Sequence, residues 1–411
     1  MMHTSHIRID LGAISGNIRA IGEALAPGTV VCPVVKADAY GLGADRVAGA
    51  MVEAGARRLA VFTLQQAAEL ESRVSGAKIL ALMPVEEIPN DPGIARLIAS
   101  GRLELVVSSV AQASRLGSVR LGRSLPIHVE VDCGMGRGGV STRDAPALLE
   151  AIRSLRSLDL VGVFTHFTGS DPAAVAEQGA RFDRMLGGVS HLLGPRVLKH
   201  AASSGPCFTD PSQQRDMVRI GLGWTGWLPS AAHHEHVRVD PGLRPAVTWR
   251  SRIVQVRELE AGSTVGYGSR WTAPGPTRVG LVPVGYAHGY PTLSPDSPES
   301  HIVLVSVGGG MRAAPVVGAI SMDQLVVDLG GLEGFDAGRD REVILLSDQL
   351  DSAAGLHAIS ARCGVPPHMV LSSMATGIPR VYLTEGMPAI PPGGTIHLDA
   401  TGDAGRSKAV G

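Results

Sequence analysis

The sequence predicts an α/β protein: an N-terminal (β/α)8 barrel, residues 1–240, followed by a mainly β domain, residues 241–385. Three observations indicate this. In the first 225 residues, short β-rich apolar runs alternate with longer segments of helical periodicity. Beyond residue 245, strand-like segments follow one another with Gly and Pro between them. The chain has 411 residues, 44% of them hydrophobic, which suffices for one large domain and a smaller one.

Eight runs in the first part have the length and composition of buried strands. Their alternation with helical segments, such as Thr142–Ser157 and Asp171–Leu193, predicts a parallel sheet. Eight such units in roughly 220 residues fit a closed barrel better than an open doubly wound sheet. The predicted strands are Val30–Lys36, Arg58–Thr63, Lys78–Met83, Leu103–Ser108, Pro126–Asp132, Leu160–Phe167, Arg196–Ser203 and Met217–Gly223.

The second part has a different pattern. Pro229–Pro245 is rich in His, Pro and charge and is predicted to be a linker. No long helix is predicted before Asp351–Cys363, and the Gly- and Pro-rich segment 386–411 is predicted to be a flexible tail. The predicted strands of this part are Trp249–Leu259, Val279–Val284, His301–Val307, Ala314–Ile320, Gln324–Leu329 and Glu342–Leu346.

Charge and composition argue against several classes of partner. The net charge is −1 and no basic block occurs, so neither nucleic acid nor an anionic membrane is expected as the main partner. No apolar run is long enough for a transmembrane helix, and the polar N-terminus does not resemble a secretory signal. Four cysteines lie far apart, so a reduced, cytoplasmic protein is expected; they are Cys32, Cys133, Cys207 and Cys363.

Polar side chains follow several of the predicted barrel strands. Active sites of (β/α)8 barrels lie at the carboxyl ends of the strands, so these side chains are the candidates for chemistry. They are Lys36, Asp38 and Tyr40 after the first strand, Glu130, Asp132 and Arg137 at the fifth, His166 at the sixth, Ser203 and Ser204 at the seventh, and Arg219, Gly221 and Leu222 at the eighth.

Lys36 is the most informative of these residues. Burial after six apolar or small residues lowers the pKa of an amine, and a neutral amine is the form that makes a Schiff base with a carbonyl. The alternative, a lysine that reaches solvent or pairs with Asp38, has equal weight from position alone. Ser204 and the glycine-flanked amides of 221–223 lie where this architecture binds phosphate. A lysine and a phosphate site together suggest pyridoxal phosphate.

At these residues the sequence resembles the alanine racemase family of fold-type III pyridoxal-phosphate enzymes. The likeness extends from about Ile7 to Tyr382, with the family's motifs in the same order. The matching segments are Val34–Gly41, Val131–Arg137, Thr165–Phe167, Met217–Arg219, Leu243–Pro245, Val265–Gly268, Pro283–Ala287 and Ser321–Gln324.

The resemblance implies a racemase with two catalytic bases on opposite faces of the substrate, Lys36 and Tyr267. Lys36 would also hold the cofactor covalently, and Tyr267 would come from the partner subunit of a homodimer. The other residues implied at the cofactor are Tyr40, Ser204, Gly221 and Leu222 at its phosphate and Arg219 at its pyridine nitrogen, with His166 near Arg219 and Tyr267. Those implied at the substrate are Arg137 and Met322, with Glu130, Tyr286, Asp323 and Thr376 around them.

The chain departs from the family at a few positions. Glu130 stands where the family usually has a lysine, carbamylated in many members, and we expect its carboxylate to position Arg137 instead. Thr376 stands where the family has a tyrosine near the cofactor phosphate, so a wider pocket that accepts serine or larger amino acids is expected. His288 and Ser203 also differ, near the entrance of the site.

Other functions remain open at this point. A decarboxylase of the same barrel class would carry a carboxylate where Arg219 stands, so Arg219 favours racemisation over decarboxylation. Retro-aldol cleavage of β-hydroxy amino acids stays an alternative. A cofactor-carrying binding protein would lack the second domain that bears Tyr267. Three weaker signals are interpreted as structural: Gly134–Gly139 as a chance dinucleotide fingerprint, His233–His236 as a solvated loop without metal, and Cys133 as a residue lining the site.

Overall fold

The computed structural model describes residues 4–229, 237–293 and 300–384. Their contacts form two compact units. Residues 14–243 form the first, called the barrel unit, and residues 4–13 together with 244–384 form the second, called the β unit. The segment His233–His236 and the predicted tail 386–411 lie outside the described residues.

Each of the eight predicted barrel runs overlaps a strand, and the eight strands form one parallel sheet. The eighth strand pairs with the first, with Arg219 opposite Cys32, and a single bridge between Val34 and Ala60 joins the first strand to the second. The predicted fold class, a nearly closed (β/α)8 barrel followed by a mainly β region, is confirmed. The first to eighth strands are Val30–Pro33, Arg58–Val61, Lys78–Ala81, Leu103–Val107, Leu125–Asp132, Leu158–Phe164, Leu198–His200 and Met217–Ile220, and a short strand Val140–Ser141 pairs with the fifth.

Local sequence signals begin several of the barrel helices. Thr63 and Gln66 form a capping box, and the Asp91 carboxylate accepts hydrogen bonds from the N–H groups of Gly93 and Ile94. Asp171 caps the longest helix, which has a proline in its first turn. The helices are Leu11–Ala24, Ala44–Glu53, Leu64–Leu70, Pro92–Ser100, Val110–Ser118, Ala145–Ser154, Pro172–Gly188 and Ser204–Thr209, with 3₁₀ turns at Ser190–Leu192, Pro211–Gln213 and Leu222–Thr225.

Apolar side chains from alternate strand positions fill much of the barrel interior. Because successive strand residues point to opposite sides, the remaining residues of each strand pack under the surrounding helices. The fully or largely buried members of this interior cluster are Cys32, Val34, Ala60, Leu80, Val106, Phe164 and Met217. Polar side chains occupy the other inward positions, and they include the candidate site residues at the carboxyl ends.

The β unit contains a nine-stranded sheet. Each predicted strand of this part is present, and the predicted run Trp249–Leu259 forms two strands. In sheet order the strands are Gln255–Leu259, Thr277–Val282, Leu325–Asp328, Gly310–Val317, Ile302–Val307, Glu342–Leu346, Val247–Arg252, His6–Asp10 and Arg380–Leu383. A small sheet pairs Thr264–Val265 with Trp271–Thr272, 3₁₀ turns lie at Tyr267–Ser269 and Tyr286–His288, and the helices are Leu356–Cys363 and Pro367–Ser373.

The strand His6–Asp10 belongs to the β unit, whereas the sequence interpretation assigned all of 1–240 to the barrel. Ile7 and Ile9 are fully buried and alternate with polar residues, which is the pattern of a half-buried strand. Ile7 pairs with Trp249 and with Arg380, more than 200 residues further along the chain. Local periodicity contains no information about partners at such a separation.

Two further observations concern the chain as a whole. Among the described helices, none combines the length and the apolar character that spanning a membrane requires. The four cysteines are free thiols, and three of them are buried.

Candidate active site

Lys36 follows the first barrel strand and opens a left-handed helical turn, Lys36–Gly41. Ala37, Asp38, Ala39 and Tyr40 have φ between 52° and 58°, a conformation that L-residues rarely adopt in succession. Burial, and after it the positive charge of Arg137, lower the pKa of Lys36. The amine therefore loses its proton more readily than that of an ordinary lysine.

Tyr40, at the end of this turn, faces the segment that follows the eighth strand. A Cβ added to Gly221 would lie 2.4 Å from the Tyr40 hydroxyl, so only a glycine lets the phenol approach this backbone. The rings of Tyr40 and Trp224 pack 5.8 Å apart, and the Trp224 indole N–H donates to the Val34 carbonyl. Burial raises the pKa of Tyr40 to about 12, so its hydroxyl stays a hydrogen-bond donor at neutral pH.

Ser204 begins the helix after the seventh strand and lies beside Tyr40 and Gly221. These three residues form what we call the donor cup. Its Oγ accepts hydrogen bonds from the backbone N–H groups of Gly221 at 3.1 Å and of Gly223 at 3.0 Å. A hydroxyl and backbone N–H groups that converge beside the Tyr40 phenol form the set of donors that a phosphate requires. The residues present therefore fit the phosphate of pyridoxal phosphate.

Arg219 lies on the inner side of the eighth strand, buried to 4% exposure. Its Nη2 donates to the carbonyls of Thr165 at 2.8 Å and Ala201 at 3.1 Å, and to Nδ1 of His166 at 3.3 Å. Burial lowers the pKa of Arg219 to about 10, which leaves the guanidinium charged at neutral pH. Burial and then the charge of Arg219 lower the pKa of His166 to about 3, so His166 is neutral and accepts from Arg219 through Nδ1.

The loop after the fifth strand carries Arg137. The Asp132 carboxylate accepts hydrogen bonds from the N–H groups of Gly134 and Gly136. In a dinucleotide-binding loop such N–H groups would instead face the pyrophosphate. Although burial opposes it, these N–H groups lower the pKa of Asp132. Arg137 is exposed and forms no hydrogen bond or ion pair with any residue that the structure describes. Burial raises the pKa of Glu130, and the charge of Arg137 partly offsets this.

The predicted site residues of the β unit lie at its surface. Tyr267 is 76% exposed, Met322 54% and Tyr286 50%. The segment that contains Met322 lies against Tyr286, since the N–H of Tyr286 donates to Ser321 and that of Ala287 to Met322. Asp323 and Thr376 are also exposed. Exposed aromatic and methionine side chains of this size are typical of a surface that another molecule covers.

A separate cavity of about 600 Å³ opens at the amino ends of the barrel strands, opposite to the candidate site. Arg58, Lys78, Arg153, Arg156 and Arg196 are among its lining residues. None of the predicted site residues lines this cavity. Since active sites of such barrels lie at the carboxyl ends of the strands, we do not assign the catalytic centre to it.

Sequence reasoning missed the closest side-chain partner of Arg219. The Nη1 group of Arg219 donates to Nδ1 of His200 at 2.6 Å, a shorter contact than the one to His166. Stacking of His200 on Phe164, with ring centroids 4.8 Å apart, holds its imidazole. The available signal was a histidine at an inward strand position, but identifying its partner required the three-dimensional arrangement of the sixth to eighth strands.

Comparisons with known proteins cover nearly the whole chain. Residues 9–229 match the family model "Alanine racemase, N-terminal domain", and residues 246–382 match "Alanine racemase, C-terminal domain". The chain is 32% identical to the alanine racemase of Desulfosudis oleivorans over 398 residues, which cover 93% of this chain and 97% of that protein.

Solved structures of similar proteins share the fold over nearly the whole chain. Alanine racemase from Streptomyces coelicolor A3(2) is 30% identical with a TM-score of 0.79, covering 92% of this chain and 98% of that one. Alanine racemase from Bartonella henselae with covalently bound pyridoxal phosphate is 26% identical with a TM-score of 0.76, covering 92% of this chain and 99% of that one.

Proposed function

The chain belongs to the alanine racemase family, and we propose that it is a pyridoxal-phosphate-dependent isomerase that interconverts L- and D-alanine. The observation that carries this proposal is the amine of Lys36, with a lowered pKa, on the same barrel rim as the donor cup of Tyr40, Ser204 and Gly221. The family relatives are named alanine racemases, and the Bartonella henselae structure contains the cofactor covalently bound.

Lys36 is proposed to bind the cofactor covalently, and Tyr40, Ser204 and the amides of Gly221, Leu222 and Gly223 to bind its phosphate. When bound, pyridoxal phosphate withdraws electrons from the α-carbon of the attached amino acid and makes the α-proton easier to remove. Arg219 is proposed to face the pyridine nitrogen. Because the guanidinium stays protonated, it donates a hydrogen bond there without transferring a proton.

The proton is proposed to move through two groups, the Lys36 amine on one face and the Tyr267 phenol on the other. Tyr267 is 76% exposed in its own chain, which supports its contribution to the site of a partner subunit. A homodimer with shared active sites is therefore part of the proposal, and His166 lies beside Arg219 on the same rim.

The substrate carboxylate is proposed to bind Arg137, together with backbone groups near Met322 of the partner subunit. Arg137 has no acidic partner among the described residues, so its guanidinium is available to a bound carboxylate. Glu130 acts on it through charge, without an ion pair within 4 Å. Replacing Glu130 by Gln is expected to lower turnover or cofactor affinity; unchanged values of both would contradict a role for its carboxylate.

Two experiments test the assignment of the reaction and of Lys36. Borohydride reduction of the cofactor-loaded protein, followed by peptide mapping, is expected to place a pyridoxyl group on Lys36, and a label elsewhere would overturn the site. In deuterium oxide, both L- and D-alanine are expected to exchange the Cα hydrogen. Exchange of neither enantiomer would favour a cofactor-binding protein, and release of carbon dioxide or an aldehyde would identify a decarboxylase or aldolase.

A broader substrate range is the second candidate, and Thr376 favours it. Thr376 is exposed in a turn that Arg380 holds through the carbonyls of Met374, Ala375 and Ile378. A small side chain there leaves more room than the family's tyrosine, so serine or larger amino acids are proposed as further substrates. The cytoplasmic location expected from the sequence also stays a proposal, to be tested by cell fractionation.

A further inference from the structure

A continuous chain of buried polar side chains crosses the interior of the barrel below Arg219. It consists of His200, His128 and Glu104, which come from the seventh, fifth and fourth strands and are each 0% exposed. Branched apolar side chains normally fill such interiors, so three titratable groups in succession require an explanation. We call these three residues the histidine relay.

The contacts along the relay have ordinary hydrogen-bond lengths. It runs from the candidate active site to a cationic pair, Arg58 and Lys78, at the amino ends of the second and third strands. Along the relay, the distances are 2.6 Å from Arg219 Nη1 to His200 Nδ1, 2.9 Å from His200 Nε2 to His128 Nδ1, and 3.1 Å from His128 Nε2 to Glu104 Oε2. At its far end, Arg58 Nε and Nη2 lie 2.6 and 2.8 Å from the Glu104 carboxylate, and Lys78 Nζ lies 3.0 Å from it.

The two ends of the relay determine where its protons lie. Arg219 is only a donor, so Nδ1 of His200 must accept, and the proton of the neutral ring is on Nε2. That N–H donates to Nδ1 of His128, whose own proton is therefore also on Nε2 and points to Glu104. The carboxylate of Glu104 is only an acceptor, so the opposite end imposes the same direction independently.

The charge states agree with this arrangement. Burial is the first cause that lowers the pKa of His128 and His200, and the positive charge of Arg219 acts on both in the same direction. Although burial opposes it, hydrogen bonds from His128 and Arg58 hold the pKa of Glu104 well below its ordinary value. Two neutral histidines thus lie between a guanidinium and a carboxylate. Among the described residues no group of His, Cys, Asp and Glu forms a metal site, so the relay is not a metal centre.

The backbone is adapted to the relay. His128 lies opposite Gly162 of the sixth strand, and a Cβ on Gly162 would come within 2.0 Å of Nδ1 of His128. A glycine in the interior of a strand is unfavourable unless another group needs its space. The His128 and His200 rings meet edge to face at 78°, and Phe164 stacks on His200.

We propose that Glu104, His128 and His200 are positioning residues that hold the Arg219 guanidinium in one orientation toward the cofactor site, through a hydrogen-bond chain whose direction Glu104 sets. The orientation of Arg219 toward the cofactor rests on the proposed function, whereas the proton positions follow from the hydrogen-bond geometry alone. If an amide replaced Glu104, it could donate to Nε2 of His128. The protons of both histidines would then shift to Nδ1. The Nδ1–H of His200 would face the Nη1–H of Arg219, and no hydrogen bond could form between these two donors.

The test combines histidine NMR with kinetics on the cofactor-loaded enzyme. In ¹⁵N-histidine-labelled protein, both relay histidines are expected to be neutral Nε2–H tautomers that do not titrate between about pH 6 and 9. Their signals are assigned by their loss in His128→Asn and His200→Asn. An Nδ1–H tautomer or an imidazolium at either position in the unmodified enzyme would overturn the proposal, and this measurement needs no folded variant of Glu104.

The variant Glu104→Gln is expected to populate Nδ1–H tautomers and to lower kcat by about tenfold with KM changed by less than about threefold, as for other groups that orient a functional side chain. Glu71→Gln is the matched control. Glu71 is a carboxylate of the same barrel unit, 8% exposed and paired with Arg96 and Arg102, with no contact to the relay.

Glu71→Gln is expected to keep both tautomers and kcat within about twofold of the unmodified enzyme, because it breaks only its own ion pairs. Equal losses of kcat in the two variants, or unchanged tautomers in Glu104→Gln, would reduce Glu104 to a structural role and overturn the proposal. If the protein racemised no amino acid while the tautomers were as expected, the proposed function would be wrong. The assigned direction of the hydrogen-bond chain would still be correct.

Discussion

At the scale of single residues, the site depends on how burial and neighbouring charge set protonation. Burial, and after it the charge of Arg137, lower the pKa of Lys36. Burial lowers the pKa of Arg219 only to about 10, so the guanidinium keeps its charge at neutral pH, and four acceptors surround its Nη groups. His166 and His200 are neutral beside this guanidinium. Each of these states follows from burial and charge in the barrel unit.

Glu104 provides a pH test at this scale. Its pKa in the folded protein is depressed, so its contribution to stability is present above the unfolded value of about 4.3 and is lost as the pH falls below it. Removing one partner of a buried ion pair costs about 3–5 kcal/mol. We therefore expect Glu104→Gln to lose about that much free energy of unfolding at pH 7, and the difference from the unmodified protein to shrink progressively as the pH falls from about 4 toward the depressed pKa of the folded state. Urea titrations across this range measure the difference, and a gap that does not change with pH would contradict the assignment.

Thr376 provides a specificity test. If the small side chain widens the pocket, Thr376→Tyr should lower kcat/KM for serine relative to alanine by about tenfold, the usual effect of one or two heavy atoms in a substrate pocket. Steady-state kinetics with both amino acids measures this ratio. If the unmodified enzyme already has a strict preference for alanine over serine, the wider pocket proposed at Thr376 is contradicted.

At the scale of elements, the left-handed turn Lys36–Gly41 is the least regular part of the barrel rim. Four non-glycine residues with positive φ cost roughly 1–2 kcal/mol each, and the rest of the barrel must offset this. The six-residue turn brings the Tyr40 hydroxyl against Gly221. Strained backbone of this kind is concentrated at functional sites.

This conformation predicts an unusual response to glycine. Ala37 is exposed with φ 52°, so Ala37→Gly should leave the free energy of unfolding unchanged or raise it by up to about 1 kcal/mol. Ala176→Gly, at an exposed position in the right-handed helix Pro172–Gly188, should lower it by about 1 kcal/mol. Denaturant titration of both variants measures the contrast, and equal losses would show that the turn is not left-handed in solution.

At the scale of the whole molecule, the proposed reaction needs residues from two chains. Tyr267, Tyr286 and Met322 are exposed on the β unit, and neighbouring backbone hydrogen bonds hold the segments of Tyr286 and Met322 together. A surface of this kind is consistent with a symmetric dimer in which each chain completes the site of the other.

Complementation tests this arrangement. Lys36→Ala and Tyr267→Ala are each expected to be inactive, since each removes one of the two proposed bases. After the two variants are mixed and allowed to exchange subunits, half of the dimers are mixed and each contains one intact site, so activity should return to about a quarter of the unmodified value. Recovery is expected only if Tyr267 acts in the partner's site. No recovery despite exchange shown by mass spectrometry would contradict a shared site.

The sequence by itself determined much of the protein. Periodicity and composition indicated all eight barrel strands, and the polar residues at their ends indicated Lys36 and Arg219, because these signals are local and depend on neighbours along the chain. Only the tertiary structure decided that His6–Asp10 joins the β unit and that Arg219, His200, His128 and Glu104 form one hydrogen-bonded chain. These groups come from strands far apart in sequence, and their contacts depend on barrel closure and register, which no local pattern contains.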